Sequence, residues 1–351
     1  VKDIMTVTLK DIAQQLNLSV TTVSRALAGY SDVAEKTRQR VEQAAREMGY
    51  YPNITARQLQ KQRTDTLAFI IPTHGPRFSD PFFSELLAGI GNEAGRHGYA
   101  LLVATQSPDS DAEREAYRQV VYGRRADGAI VVRTRRNDSR IQFLCQESFA
   151  FVAFGRADVG CDFSYVDEDS HAGLQLLTQH LIDLGHRHIG FISPPNELMF
   201  TQFRLAGYRD TLHTNGLPFL PSLVVEGDLT QSGGVQAAQT LLALRPRPTA
   251  IIACNDLMAL GVASAAQKMG LSIPHELSIG GFDDIPLAEH AIPSLTTVRQ
   301  PIYEIGRRLS RMVVQLIRDL THPSGDRPNQ VLLTPELIVR DSSGPPPDRP
   351  T

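Results

Sequence analysis

From Thr66 onward the chain repeats one pattern, a short apolar run followed by a stretch of helical periodicity long enough to cover it. The runs Leu67–Ile71, Ala100–Ala104, Ala129–Val132, Phe151–Phe154, Ile189–Ile192, Ala250–Ala253 and Ser278–Phe282 read as strands. Few folds accept such an alternation. It predicts parallel sheets covered by helices on both faces, and such sheets bind ligands at the carboxyl ends of their strands. A break after Asp162 divides the pattern into two similar halves. Val331–Val339 reads as a late strand, and the Ser/Gly/Pro-rich stretch 342–351 as a flexible tail.

With 351 residues the chain is long enough for two or three domains. It has no run of about eighteen apolar residues, so no membrane span is expected. Val1–Thr6 lacks the apolar centre of a secretory signal, and the expected location is cytoplasmic. Cys145, Cys161 and Cys254 are odd in number and scattered, and read as small buried residues rather than a disulfide or metal set. The net charge of −3 hides an asymmetry: residues 1–63 carry ten Lys/Arg against six Asp/Glu, and the rest is acidic. A basic head on an acidic body implies that the head alone meets a polyanion.

In that head, Thr8 caps a first helix whose Leu9, Ile12, Ala13 and Leu16 recur at helical spacing. Asn17-Leu18-Ser19 is a tight turn, and Ser19 caps a second helix through Ala28. That helix buries Val23, Ala26 and Leu27 and presents Val20, Thr21, Thr22, Ser24 and Arg25. Small residues with one Arg fork suit a DNA major groove, where the fork reads guanine. Alone, it reads more readily as an ordinary surface helix; two short helices joined by three residues make it the second half of a helix-turn-helix. A third helix runs from about Glu35 to Met48.

The segments Thr8–Ala13, Val20–Leu27, Lys36-Thr37-Arg38 and Gly49–Asn53 together resemble the head of the lactose-repressor (LacI/GalR) family. The body agrees: Ser79–Phe83, Leu184–Ile189, Cys254–Gly261 and Gly281–Asp284 are similar to family segments in family order. The resemblance implies a small all-α helix-turn-helix head plus an α/β core like periplasmic binding proteins, two doubly wound parallel-sheet subdomains with a cleft between them. The expected layout is a DNA-binding head at 1–51, a hinge helix at 52–63, an effector-binding core at 64–341 and the tail at 342–351. It implies a transcriptional regulator, most simply a repressor, that binds a near-palindromic operator in double-stranded DNA as a homodimer. A small-molecule effector, a sugar, controls it, and neither enzymatic activity, metal nor cofactor is expected.

The family pattern assigns DNA contacts to Ser19, Val20, Thr21, Thr22, Ser24 and Arg25, and in the hinge to Asn53, Ala56 and Leu59. The leucine would wedge into a minor-groove step and kink the duplex. Effector contacts are implied for Phe82, Phe83, Thr134, Glu168, Arg204, Asn255 and Asp283. Each has a plainer alternative: core packing for the phenylalanines, a turn cap for Thr134, a solvated salt bridge for Arg204. Three departures stand out: Ala34 replaces the usual capping Ser unless Asp32 substitutes; Gly155 replaces an acidic residue of some sugar-binding members, with Arg156 next to it; and the chain has no Trp to stack on a sugar.

Other motifs lead elsewhere. Gly89-Ile90-Gly91-Asn92-Glu93-Ala94-Gly95 imitates a dinucleotide fingerprint but follows a helical rather than a strand pattern, so close helix packing explains it better. His186 and His188 have no companion ligands, and Asp283-Asp284 has no partner for acid–base work. The rival reading is a free-standing solute-binding protein, which the body permits and the attached head opposes.

Overall fold

The computed structural model describes residues 7–50, 63–73, 80–320 and 328–347, and the chain separates at Arg63–Thr64 into a small unit and a large one. The hinge positions Asn53, Ala56 and Leu59 lie outside the described residues. Among its described residues the small unit has three helices, α1 (Leu9–Leu16), α2 (Val20–Leu27) and α3 (Glu35–Glu47). At the start of α1 the Asp11 carboxylate accepts the Thr8 N–H at 2.7 Å and the Thr8 hydroxyl at 2.8 Å. Asn17, at φ 53°, takes the left-handed conformation that turns the chain toward α2. The Ser19 hydroxyl accepts the Thr22 N–H at 3.0 Å, which satisfies one of the free donors of α2. Ile12, Ala13, Val23, Ala26, Val41, Ala44 and Ala45 close a core of their own. No side chain caps α3 at Ala34; Asp32 pairs with Arg25 instead, at 2.5 Å.

The large unit begins with β1 (Thr66–Pro72), α4 (Pro81–Arg96), β2 (Ala100–Gln106), α5 (Asp111–Val121), β3 (Gly128–Val131), α6 (Ser139–Gln146), β4 (Phe151–Phe154) and β5 (Tyr165–Glu168). The second half follows with α7 (Ser170–Asp183), β6 (Ile189–Ser193), α8 (Met199–Thr214), β7 (Val224–Glu226), α9 (Gln231–Leu242), β8 (Ala250–Ala253), α10 (Asp256–Lys268), β9 (Ser278–Asp283), α11 (Pro286–His290) and β10 (Thr296–Arg299). The chain then returns to the first half for α12 (Ile302–Asp319) and β11 (Gln330–Leu333), and crosses again for β12 (Glu336–Ile338).

Two six-stranded sheets result, ordered β11-β5-β4-β3-β1-β2 and β12-β10-β9-β8-β6-β7. Every pairing is parallel except β10 with β12. In register, Leu67 of β1 lies between Leu101 and Gly128. Strands in the middle of each sheet are buried along their length, as sheets covered on both faces require.

Several sequence expectations need correction. The halves do not divide at Asp162, because β5 still belongs to the first sheet and the crossing comes at Asp169. Residues 331–339 form two strands, one in each sheet, since the intervening Thr334-Pro335 cannot sustain a ladder. Over residues 342–347 the stretch expected to be a flexible tail is docked. Ser342 exchanges backbone hydrogen bonds with Ile279 and Ser294, and its hydroxyl donates to the Ile279 carbonyl at 2.6 Å. The Gly344 carbonyl lies 2.8 Å from Nε2 of the buried His186, whose Nδ1 meets the Thr249 hydroxyl. That imidazole is a structural clasp for the last strap of chain. Finally, Cys145 and Cys161 are joined in a disulfide; the chain runs out through β4 and returns, which spacing alone does not reveal.

The glycine-rich stretch of α4 does serve helix packing. A Cβ on Gly89 would fall on the Tyr303 carbonyl of α12, and one on Gly306 would fall on the Leu86 carbonyl, so the two helices touch backbone to backbone. Gly91 faces open space on the same helix. Gly89→Ala is therefore expected to destabilise the core by about 1–3 kcal/mol through overpacking. Gly91→Ala should be neutral or stabilising by up to about 1 kcal/mol. Urea unfolding of the two variants beside wild type checks the contrast; equal effects would contradict the packing argument.

Candidate functional site

Between the carboxyl ends of the two sheets lies a cleft of about 650 Å3, counting its solvent-open mouth. All seven residues assigned to an effector from the sequence line it: Phe82, Phe83, Thr134, Glu168, Arg204, Asn255 and Asp283. Each lies at or just beyond a strand end, or in the first turns of the helix that follows, where side chains of an open parallel sheet converge.

The apolar wall comes from the first half. Asp80 caps α4 by accepting the Phe82 N–H at 3.1 Å, which fixes the two phenylalanines at the helix start. Phe82 stacks on Phe154 with centroids 5.9 Å apart and meets Phe83 edge-on. Phe83 is itself buried, so Phe82 and Phe154 offer the exposed ring surface. Thr134 occupies the space that a side chain at residue 155 would need: a Cβ there would strike its hydroxyl, and Gly155 sits at φ 110°. This explains the absence of the acidic residue that some relatives carry.

The polar wall is a set of buried charges. Arg204 of α8 reaches across to Glu168 at the end of β5, 3.0 Å away, and donates to the Cys254 carbonyl. Its guanidinium lies over the Phe282 ring at 3.8 Å and the Phe200 ring at 4.6 Å. Arg204 does form a salt bridge, but a buried one inside the cleft, not the solvated one that was the alternative. Ser170 donates its hydroxyl to the same Glu168 oxygen at 2.7 Å. Asp283, at φ 114°, accepts the Gln300 side-chain N–H at 2.6 Å. Asn255 is partly committed to structure: its oxygen caps α10 at the Met258 N–H and its amide donates to the Leu229 carbonyl. One N–H and one lone pair remain for a ligand.

Further charges were not foreseen as site residues. Arg133 pairs with Asp80 at 3.1 Å and stacks on Phe83. Arg156 pairs with Asp167 at 2.6 Å and lies over the Phe203 ring of α8. Gln300 follows β10, which the sequence pattern concealed. Asp284 belongs to structure, paired with Arg299 and Arg340.

Burial dominates the titration of these groups. It raises Asp80, Asp167 and Asp283, and pushes Glu168 up to about 7 against the attraction of Arg204. Burial also opposes the charge of Arg204, but Glu168 and Asp283 together hold it protonated. One cation facing two carboxylates cannot keep both fully ionised. Two acceptors are left without partners, Oε2 of Glu168 and Oε1 of Gln300, both buried. An unmet buried acceptor is costly until a donor arrives. Among the described residues, no His, Cys, Asp or Glu cluster could hold a metal ion, and no helix is long and apolar enough to cross a membrane.

In the small unit, Ser19, Val20, Thr21 and Arg25 are exposed and Thr22 and Ser24 half-buried, so the six predicted positions share the accessible side of α2. Arg25 also lies over the Tyr30 ring at 5.0 Å.

Comparison with known proteins gives one answer along the chain. Residues 8–53 match the family model described as bacterial regulatory proteins, lacI family, and residues 178–343 match a periplasmic binding protein-like domain. The transcriptional regulator CelR of Thermobifida fusca is 34% identical over 339 residues, 95% of this chain and 98% of that protein. The transcriptional repressor CytR of Escherichia coli strain K12 is 34% identical over 338 residues, 96% of each. Among solved structures, a CelR–cellobiose complex superposes with a TM-score of 0.73 at 33% identity, covering 96% of this chain and 99% of that one. A lac repressor dimer bound to operator and the anti-inducer ONPF gives 0.82 at 26% identity, covering 97% and 99%.

The cleft carries a pH signature. An acid whose folded pKa lies above its unfolded value keeps its proton in the native state after the unfolded chain has released it. Stability therefore falls as pH rises through that window, from 4.5 to about 7 for Glu168, and is level beyond it. In Glu168→Gln this component vanishes, whereas that of Asp256, which burial likewise pushes up to about 7, remains. The unfolding free energy of wild type minus variant should decline across the window, and a flat difference would count against the assignment.

Proposed function

Because the chain belongs to the lacI family of bacterial regulatory proteins, and is on that account a DNA-binding transcriptional regulator rather than an enzyme, we propose that it is a cytoplasmic homodimeric repressor controlled by a sugar. Two heads related by a twofold axis would meet a near-palindromic operator, one half-site each. Val20 and Thr21 would face bases at the start of α2, with Ser19, Thr22 and Ser24 allowing close approach and Arg25 reading a guanine. In this proposal Asp32 and Tyr30 hold the Arg25 fork ready. The segment 52–63 would serve as the hinge, with Asn53 and Ala56 at the duplex and Leu59 wedged into a minor-groove step. The core from Thr64 takes the effector.

The observation that carries the ligand class is the pair of unmet acceptors on Glu168 and Gln300 in a cleft whose opposite wall is aromatic. Hydroxyl groups would supply the missing donors, Arg204, Asn255 and Asp283 would fix their positions, and Phe82 with Phe154 would cover the sugar's apolar face. The CelR–cellobiose complex supports a saccharide in a related fold. The residues on both sides of the cleft make the ligand sensitive to how the halves are arranged, and a ligand shifts DNA affinity by as much as it distinguishes such arrangements.

A thermal-shift screen of mono- and disaccharides, cellobiose included, should give at least one sugar that raises the melting temperature of the full chain. That sugar should also change the mobility shift of an operator fragment. Asp283→Asn should weaken its binding by about tenfold or more, since it replaces an oxygen by an N–H donor and leaves a ligand hydroxyl unmet in the cleft, which costs about 1–3 kcal/mol. Unchanged sugar affinity in the variant would place the ligand elsewhere, and a panel without any hit would overturn the sugar reading.

A further inference from the structure

The disulfide has no part in the cleft chemistry described above, yet it is fastened to the cleft wall. Cys145 lies at the end of α6 and Cys161 in the irregular stretch between β4 and β5, with Cα atoms 6.6 Å apart. Both are only half-buried, whereas Cys254 is sealed in the core of the second half. The bonded loop contains β4 and includes Gly155 and Arg156, which line the cleft.

That loop has holds on the opposite half. Arg156 lies 3.7 Å over the Phe203 ring of α8. The Asp158 N–H donates to the Arg136 carbonyl at 2.8 Å. Arg136 in turn donates its N–H to the Glu197 carbonyl at 3.1 Å, the Met199 N–H reaches the Thr134 carbonyl at 2.8 Å, and Arg135 and Leu198 form an antiparallel bridge. Residues 134–136 and 197–199 thus form a strap between the two halves, and the disulfide loop is bonded to one side of it. At the strap, Arg135 is anchored by Glu113 at 2.9 Å, a buried pair that fixes its position within the first half.

A regulator that acts on DNA works in a compartment where thiols are kept reduced, and a bonding pair of cysteines there is more often redox-responsive than a permanent staple. We propose that Cys145 and Cys161 are a reversible thiol–disulfide pair, oxidised by a hydroperoxide, whose bond steadies the 155–163 loop and through it the strap that holds the two halves together. In the forward step one thiolate attacks a peroxide oxygen. The O–O bond breaks, leaving a sulfenic acid and, with hydrogen peroxide, hydroxide that takes up a proton as water. The second thiolate then attacks the sulfenic sulfur, the S–S bond forms, and the oxygen leaves as a second water. The two sulfurs lose two electrons to the peroxide, and both thiol protons end in water. A small dithiol returns them by exchange.

The pair makes the core's stiffness, and with it the ease of rearranging around a ligand, depend on oxidant as well as on sugar. The test uses the full chain and needs no effector. Thiols are counted after denaturation, following treatment with hydrogen peroxide or dithiothreitol, and amide hydrogen exchange is followed in peptides covering 132–138 and 195–201. Three thiols in the reduced form should become one in the oxidised form, and strap amides should exchange severalfold faster after reduction. Cys145→Ser and Cys161→Ser should both show the fast exchange whichever reagent is applied. Three thiols after peroxide would mean mere proximity and overturn the proposal. So would a bond that forms while strap exchange in wild type stays the same.

Discussion

A guanidinium buried between two sheets must find its counter-charges inside the protein, and Arg204 finds them on both sides of the cleft. Glu168 comes from the first sheet, the Cys254 carbonyl from the second half, and the Phe200 and Phe282 rings cover its faces. Removing one partner of a buried pair of this kind costs about 3–5 kcal/mol, because the other charge is then left without compensation. The relative position of the halves in this structure is therefore written in the chemistry of the cleft as well as in the three chain crossings. The Glu168 oxygen not used by Arg204 has no partner, so under the proposed function the contact that sets the arrangement would also meet the ligand. On that proposal, this is how a small molecule would act on the whole core.

Much of this was legible from residue pattern and family resemblance. The alternation of apolar runs and helical stretches gave seven of the strands, and the motifs gave the head, the cleft and its seven lining residues. What stayed hidden had local causes. Strand β5, Tyr-Val-Asp-Glu, ends in two carboxylates that line the cleft, so it fails as an apolar run. Strand β10, with Thr296 and Thr297 buried, fails for a similar reason. The Ser342–Pro347 strap looked like a tail because serine, glycine and proline suit both a disordered end and a chain held by backbone hydrogen bonds. Arg133, Gln300 and the Cys145–Cys161 bond depend on contacts distant in sequence, for which spacing gives no signal.

The glycines show the same division. Gly89 and Gly91 share one helix and one motif, yet only Gly89 meets a neighbouring backbone. Sequence could say that the stretch was helical and not a phosphate-binding turn, which was enough to dismiss a dinucleotide site. It could not say which glycine was needed. Likewise Arg25 could be assigned to the accessible side of α2, but its contact with Asp32 and Tyr30 arises from the turn before α3.

The central claim is that ligand in the cleft and DNA at the head are linked through the arrangement of the two halves. Linkage is reciprocal: the factor by which a sugar changes operator affinity must equal the factor by which operator changes sugar affinity. The most direct measurement is calorimetric titration of the sugar into free protein and into protein saturated with operator. The account predicts affinities that differ by about 5–150-fold, the span of typical couplings, and by the same factor seen for DNA binding with and without the sugar. Equal sugar affinities in the two titrations would contradict it.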